Sequence, residues 1–215
     1  MKIAIIGATG FVGTALVNEF TNRNHSVTAI ARNPKDEKQE NVTWAKADVL
    51  DTDALAEVLK GHDAVVSAYN AGWTNPNIYD DFIAGSKAVQ AAVTKSGIKR
   101  YIVIGGAGSL FVAPGLQAVD TPDFPADIKP GATAARDYLN ILKDDKDLDW
   151  AFFSPAFEMH QGTKTGRTGN YRLGLENPVF NEEQRSILSV EDLAVVIADE
   201  VEIPKHHQQR FTAGY

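Results

Sequence analysis

The feature that most constrains the fold is a glycine-rich turn near the amino terminus, Gly7-Ala8-Thr9-Gly10-Phe11-Val12-Gly13. A continuous apolar run over 3–6 precedes this turn, and apolar residues at helical spacing follow it over 11–20. Glycines placed this way allow a sharp exit from a strand, a close approach of backbone to a diphosphate, and tight packing of the helix on the strand. The turn therefore predicts a nucleotide-binding βαβ unit, with phosphates held at the start of the helix.

Apolar runs of strand length alternate with longer helical stretches along the rest of the chain. The predicted strands are 3–6, 26–31, 42–45, 64–67, 101–104 and 150–153, with a final short strand at 211–212. The predicted helices are 11–20, 51–59, 79–96, 133–142 and 189–201. This alternation predicts an α/β fold with a doubly wound parallel sheet of the Rossmann type, strand order 3-2-1-4-5-6, in a single domain over 1–215.

Composition excludes several kinds of function. The chain has no cysteine, which removes disulfides, cysteine zinc sites, iron–sulfur clusters and a thiol nucleophile. The net charge of −7 argues against nucleic-acid binding, and we expect no metal site because His206 and His207 lack partner ligands at metal-binding spacing. The apolar run at 3–6 is too short for a signal core or a membrane span, so we expect a cytoplasmic protein without a membrane partner.

Two long segments carry no regular pattern and are predicted to form the walls of a substrate site. Segment 105–130 contains four prolines, and segment 155–184 contains glycines at positions 162, 166, 169 and 174. Both follow the carboxyl ends of predicted strands, where open α/β sheets bind their ligands. Irregular segments of this length in a compact domain are usually functional, so together they predict a small cap over the site.

Several motifs resemble the short-chain dehydrogenase/reductase superfamily. The G-x-x-G-x-x-G spacing, Asp48-Val49 and Ser67-Ala68-Tyr69-Asn70 resemble its extended and atypical forms. Segments 31–34, 103–110, 168–174 and 185–194 resemble an atypical subgroup related to NAD(P)H-flavin reductases and to biliverdin reductase B. The resemblance implies a nicotinamide dinucleotide cofactor. The cofactor-binding residues we expect are Gly7, Thr9, Gly10, Phe11, Val12, Gly13, Arg32, Asp48, Val49, Ala68, Tyr69 and Gly105.

The end of the second predicted strand favours NADPH as the cofactor, with NADH as the alternative. An acidic residue there would bind both ribose hydroxyls and repel a 2′-phosphate. Ala31 and Arg32 occupy the region instead, and a guanidinium offers a planar set of donors to a phosphate. The alternative interpretation of Arg32 is an ordinary solvated arginine on a charged loop.

The proton carrier typical of the superfamily is missing. Its members use Tyr-x-x-x-Lys on the helix after the fifth strand, and this chain contains no such motif. Alignment with that helix places Ala132 and Arg136 where the tyrosine and the lysine would stand. Alcohol dehydrogenation and sugar epimerisation need that carrier, whereas hydride transfer to a flavin needs mainly proximity and orientation. We therefore expect an NADPH-dependent oxidoreductase whose flavin or other planar acceptor is a substrate and not a tightly bound group.

Three residues are candidates for the catalytic centre. Ser109 could hydrogen-bond the nicotinamide or the acceptor, although a turn serine after glycines is an equal alternative. Arg136 could hold the nicotinamide ribose or simply face solvent. Phe157, just past the end of a strand, could stack on an isoalloxazine ring, with Phe111 as a further aromatic wall, whereas Phe153 lies within a strand and is expected in the core.

Other interpretations remain open from sequence alone. The basic residues Lys164, Arg167 and Arg172 could attract a flavin phosphate or form a solvated loop. The protein could instead be a non-catalytic NADP-binding redox sensor that controls a partner, or an epimerase- or dehydratase-like enzyme acting on a nucleotide sugar. The oligomeric state is expected to be a monomer or a homodimer.

Overall fold

Ten strands and five α-helices make up the computed structural model, which describes residues 1–215. The strands are β1 (Lys2–Ile6), β2 (Ser26–Ala31), β3 (Val42–Lys46), β4 (Ala64–Ser67), β5 (Arg100–Ile104), β6 (Phe111–Ala113), β7 (Leu116–Gln117), β8 (Asp149–Ser154), β9 (Arg172–Gly174) and β10 (Gln209–Gly214). The helices are α1 (Phe11–Asn22), α2 (Thr52–Leu59), α3 (Ile78–Ser96), α4 (Lys129–Leu142) and α5 (Val190–Glu202). None of the helices combines the length and apolar character needed to span a membrane.

Eight strands form one sheet in the order β3-β2-β1-β4-β5-β8-β10-β9, in which only β9 runs antiparallel to its neighbour. The predicted order 3-2-1-4-5-6 is confirmed for its six strands, because the sixth predicted strand is β8. Strand β10 continues the parallel sheet, and β9 closes its edge. The remaining two strands, β6 and β7, form a separate antiparallel hairpin.

Helices cover both faces of the sheet, as the continuous apolar strands predict. Successive side chains of a strand point to opposite faces. In β1, Ile3 and Ile5 therefore pack in a core with α1 and α5, while Ala4 and Ile6 pack in a second core with α2, α3 and α4. All four of these side chains are almost fully buried. This architecture brings the carboxyl ends of the parallel strands to one edge of the sheet.

The irregular segments contain more structure than the sequence pattern indicates. Segment 105–130 includes two single-turn 3₁₀ helices and the β6–β7 hairpin, and segment 155–184 includes β9. These elements are only two or three residues long, too short to show a hydrophobic period. Helix α4 begins at Lys129, four residues before the predicted start, because Pro130 lies in its first turn, where proline is tolerated.

Candidate functional site

The turn between β1 and α1 forms a cradle made of backbone. Gly7 has φ +79°, a left-handed conformation that favours glycine. A Cβ atom on Gly13 would lie 2.1 Å from the Gly7 carbonyl oxygen, so a glycine is needed for α1 to pack this closely. Gly10 precedes the helix in an extended conformation, and no side chain caps α1. The first N–H groups of α1 are thus available to an anion, which the helix dipole also favours.

A groove of about 190 Å³ extends from this cradle across the ends of β1, β2 and β4. Seven of the predicted cofactor residues line it: Gly7, Thr9, Gly10, Arg32, Val49, Ala68 and Tyr69. Five further residues line it: Ile6, Ile30, Ala31, Ala47 and Asn70. Ala31 and Asn70 belong to segments that the sequence connects with the cofactor, whereas sequence reasoning missed Ile6, Ile30 and Ala47. Their positions at or just after the ends of strands were the signal that could have identified them. A backbone cradle beside apolar strand ends has the chemistry that suits a dinucleotide, because free N–H groups favour phosphates and aliphatic side chains favour a flat base.

Arg32 stands at the end of β2 with its side chain exposed. It forms no ion pair and its guanidinium makes no hydrogen bond within the chain, although acidic residues follow it in the same loop. A guanidinium without an internal partner on the wall of the groove is available to bind a phosphate.

Tyr69 forms the opposite wall of the groove and is held in place. Its hydroxyl donates to the Asp81 carbonyl oxygen over 3.0 Å, and its ring stacks on Phe82 with centroids 6.0 Å apart. A Cβ atom on Gly85 would lie 2.3 Å from the hydroxyl, so the glycine makes room for the ring. Burial first and the charge of Asp81 second raise the pKa of Tyr69, which Arg32 opposes. The phenol is therefore protonated at neutral pH and is a poor base.

Not all of the predicted cofactor residues lie in the groove. Phe11 is 38% exposed at the start of α1, whereas Val12 packs against the core. The carboxylate of Asp48 accepts a hydrogen bond from the backbone N–H of Leu50 over 3.0 Å. A Cβ atom on Gly105 would lie 1.9 Å from the ring of Phe152. The reason for a glycine at 105 is therefore close packing within the core.

Ser109 does not face the groove, contrary to the expectation of contact with the nicotinamide. It is fully buried, and its hydroxyl donates to the Gly106 carbonyl oxygen over 2.8 Å. The same hydroxyl lies 2.9 Å from the Ser154 hydroxyl at the end of β8. The interpretation of Ser109 as a turn serine is the one that agrees with this placement, because its hydrogen-bonding groups are already used.

Arg136 is likewise engaged inside the protein. Its guanidinium forms ion pairs with Asp120 and Asp137 at 3.0 and 2.5 Å, and it donates to the Gln117 side-chain oxygen over 3.2 Å. Burial lowers the pKa of Arg136, but these carboxylates raise it by more. The amide of Gln117 in turn donates to the Ser109 carbonyl oxygen over 2.7 Å. Arg136 therefore fastens segment 105–130 to α4 and does not project into open space.

Phe157 lies just past the carboxyl end of β8 and is 39% exposed. Its ring meets that of Phe180, which is 42% exposed, with centroids 6.5 Å apart and ring planes at 65°. Phe180 was not predicted, because nothing local in the sequence distinguishes it from other loop residues. The pair presents an aromatic surface near the carboxyl end of β8. Phe153 is fully buried, as expected for a strand residue.

The two irregular segments pack on each other. The backbone N–H of Phe111 donates to the Glu176 carbonyl oxygen over 2.9 Å. Arg210, which is only 2% exposed, hydrogen-bonds the Ser109 carbonyl oxygen and forms an ion pair with Glu176. Its guanidinium also lies 5.3 Å from the centre of the Phe111 ring.

Two of the three basic residues of segment 155–184 have partners within the protein. Arg167 pairs with Glu19 on α1 at 2.7 Å, and its hydrogen bonds lower the pKa of Glu19 in spite of burial. Arg172 donates to the carbonyl oxygens of Phe180 and Tyr215. Of the three basic residues, Lys164 is the one that agrees with the interpretation of a solvated loop.

Asp192, at the start of α5, anchors the middle of the same segment. Its buried carboxylate accepts hydrogen bonds from the backbone N–H groups of Thr168 and Gly169 over 2.9 and 2.7 Å, and from the Tyr215 hydroxyl over 2.6 Å. Burial raises the pKa of Asp192, but a hydrogen bond from the Thr168 hydroxyl over 2.6 Å, together with those just named, lowers it below its ordinary value. The segment is thereby fixed to the α1–α5 side of the fold.

Comparison with known proteins supports the interpretation of the cradle and groove as a nucleotide-binding site. Residues 7–204 match the family described as NAD(P)H-binding. The uncharacterized protein YwnB of Bacillus subtilis is 36% identical over 214 residues, which cover 99% of this chain and 97% of YwnB. A crystal structure from Bacteroides thetaiotaomicron, named as a proposed epimerase, is 47% identical with a TM-score of 0.90, covering 100% of this chain and 96% of that chain.

A second solved structure is similar over the whole length. It is a protein of Streptococcus pneumoniae TIGR4 named as a proposed NADH-flavin reductase, 34% identical with a TM-score of 0.85, and the match covers 100% of this chain and 99% of that one. The family match over 7–204 contains the glycine cradle and every residue that lines the groove except Ile6. The chain therefore belongs to the NAD(P)H-binding family of Rossmann-fold, oxidoreductase- and epimerase-like proteins.

Proposed function

We propose that this protein is an NADPH-dependent oxidoreductase that reduces a flavin or a similar planar acceptor. The observation that carries the proposal is the combination of a nucleotide cradle with an α4 that presents no proton carrier to it. When bound, NADPH supplies a hydride, so that it leaves as NADP⁺ while the acceptor gains two electrons and takes its remaining proton from solvent.

The residues of this chain bind and orient the cofactor. Gly7 and Gly10 let backbone N–H groups approach the diphosphate, and the start of α1 supplies the favourable dipole. The exposed guanidinium of Arg32 would bind the 2′-phosphate that distinguishes NADPH from NADH. Tyr69 supports the groove from the other side and remains protonated.

Helix α4 supports a reaction without acid–base catalysis. Ala132, which the sequence alignment places where related dehydrogenases carry their tyrosine, is only 5% exposed and packs against Gly108. Arg136, in the place of the lysine, is held by two carboxylates. Neither residue can pass a proton to a carbonyl group, whereas a flavin accepts hydride without such a donor. The exposed ring of Phe157 then provides a surface on which a planar acceptor could stack.

The test is stopped-flow measurement of NADPH oxidation with FMN, FAD or riboflavin as the acceptor. We expect oxidation well above the rate without protein, and a higher thermal midpoint with NADPH than with NADH. Arg32→Glu should reverse the cofactor preference. Lys35→Glu is the matched control, since Lys35 lies in the same loop but pairs with Glu37 at 3.2 Å. An Arg32→Glu variant that still prefers NADPH would contradict the assignment of the phosphate site.

The similarity to a proposed epimerase supports a second candidate, an epimerase- or dehydratase-like enzyme that keeps NAD bound between turnovers. NAD found in the purified protein, with no turnover of NADPH and flavins, would favour it. Tight NADPH binding with no turnover of any acceptor would instead favour a redox sensor.

A further inference from the structure

Trp73 is a large apolar side chain that the function described so far does not use. It follows β4 and remains 58% exposed. Its turn is held by hydrogen bonds from the Gly72 N–H to the Asn70 side-chain oxygen over 2.7 Å and from the Asn75 N–H to the Gly72 carbonyl oxygen over 3.0 Å. The Asn75 amide also donates to the Asp81 carboxylate over 2.8 Å. The indole is thus displayed on a fixed turn and not on a loose loop.

One edge of the indole rests on the first turn of α4. A Cβ atom on Gly131 would lie 2.9 Å from the six-membered ring of Trp73 and 2.8 Å from a methyl group of Ile78. Glycine inside a helix costs about 0.5–1 kcal/mol relative to alanine. The close approach of Trp73 and Ile78 gives a physical reason for a glycine at this position.

The indole is close in sequence to a residue of the groove and in contact with the start of α4. Three residues before it, Asn70 lines the dinucleotide groove. Gly131, which the indole contacts, adjoins Ala132, where the alignment of α4 places the tyrosine of related dehydrogenases. A ligand that extended from the groove toward the start of α4 would therefore meet this indole.

We propose that Trp73 is a binding residue for the acceptor and that its indole stacks on a planar heteroaromatic ring of the flavin class. The inference rests on the proposed function and adds a residue and a ligand class to it. A rigid exposed indole favours flat aromatic ligands, because offset stacking adds to the burial of apolar area. A sugar or an aliphatic alcohol would gain much less from this surface.

Riboflavin in the presence of saturating NADP⁺ is the probe, because the oxidised cofactor prevents turnover. Riboflavin emission is followed with excitation in the visible range, where tryptophan does not absorb, since a stacked indole quenches it. We expect saturable quenching with the wild-type protein and about tenfold weaker binding with Trp73→Ala. Trp73→Phe should retain most of the affinity. Trp44→Phe is the matched control, because that indole lies on β3 beneath Lys35.

Each outcome decides a separate point. Unchanged riboflavin affinity in Trp73→Ala would overturn the assignment of Trp73 and leave the proposed function intact. Equal losses of riboflavin and NADP⁺ affinity would show that the turn shapes the groove itself, which also overturns it. A wild-type protein that binds NADPH but never quenches riboflavin would refute the flavin class in both proposals. Failure to bind NADPH would refute the proposed function and, with it, the role of Trp73.

Discussion

The paired substitutions Gly13→Ala and Gly10→Ala separate the structural glycine of the turn from the one that admits the cofactor. A Cβ atom on Gly13 would lie 2.1 Å from the Gly7 carbonyl oxygen and 2.8 Å from the Ala8 Cα. Both neighbours are backbone atoms, so the clash can be relieved only by moving α1 away from β1. A Cβ atom on Gly10 would meet only the same oxygen, at 3.3 Å, which a small adjustment relieves.

The expected magnitudes follow from these contacts. Overpacking a core costs about 1–3 kcal/mol, and the backbone clash places Gly13→Ala near the upper end. Alanine recovers about 1 kcal/mol over glycine in a helix, which leaves a net loss of about 2 kcal/mol. For a chain of this size, that loss lowers the thermal midpoint by about 4–8 °C. Gly10→Ala should cost at most about 1 kcal/mol, since glycine is the better N-cap residue.

The order of the two variants should be reversed in cofactor binding, where Gly10→Ala is expected to lose more affinity than Gly13→Ala. We expect Gly10→Ala to weaken NADPH binding at least about tenfold, or about 1.4 kcal/mol, because its methyl group enters the space of the diphosphate. Thermal or urea unfolding measures the stability of both variants, and calorimetric titration measures their affinity for NADPH. A Gly13→Ala protein that unfolds at the wild-type midpoint would refute the packing argument, and a Gly10→Ala protein with wild-type affinity would refute the cradle.

Three further predictions concern the irregular segments. Asp192→Asn should lower the free energy of unfolding at pH 7 by about 3 kcal/mol, since hydrogen bonds to a buried charge are lost. The folded-state pKa of Asp192 is depressed, so its contribution to the free energy of unfolding is complete above the unfolded pKa of about 3.9. The contribution disappears as the pH falls through the lower folded value. Acid unfolding curves should therefore be shallower in the variant. Ser109→Ala should lower the free energy of unfolding by about 1 kcal/mol and leave NADPH affinity unchanged. A clear loss of affinity in titration would show that Ser109 contacts the cofactor. Arg210→Met should destabilise the protein by about 2 kcal/mol and speed proteolytic cleavage within 111–117, and cleavage at the wild-type rate would show that the hairpin does not depend on Arg210.

The sequence by itself determined the five helices, the strands of the parallel sheet and the order of six of those strands, but not the short elements β6, β7 and β9. The glycine turn, the continuous apolar strands and the helical spacing are local patterns that arise from backbone geometry and burial on both sheet faces. Right-handed crossovers then leave few arrangements of the strands, which is why the order of six strands could be predicted. The approximate place of the groove followed too, because parallel strands end at one edge.

Only the tertiary structure decided which side chains face that groove. Ser109 and Arg136 have residue types suited to catalysis, yet Ser154 on β8 and Asp120 beyond the hairpin occupy their polar groups. The indole of Trp73 packs where Gly131, 58 positions later in the chain, has no side chain. These contacts join residues that no local period relates, and their strength depends on burial and distance, which a linear pattern does not contain.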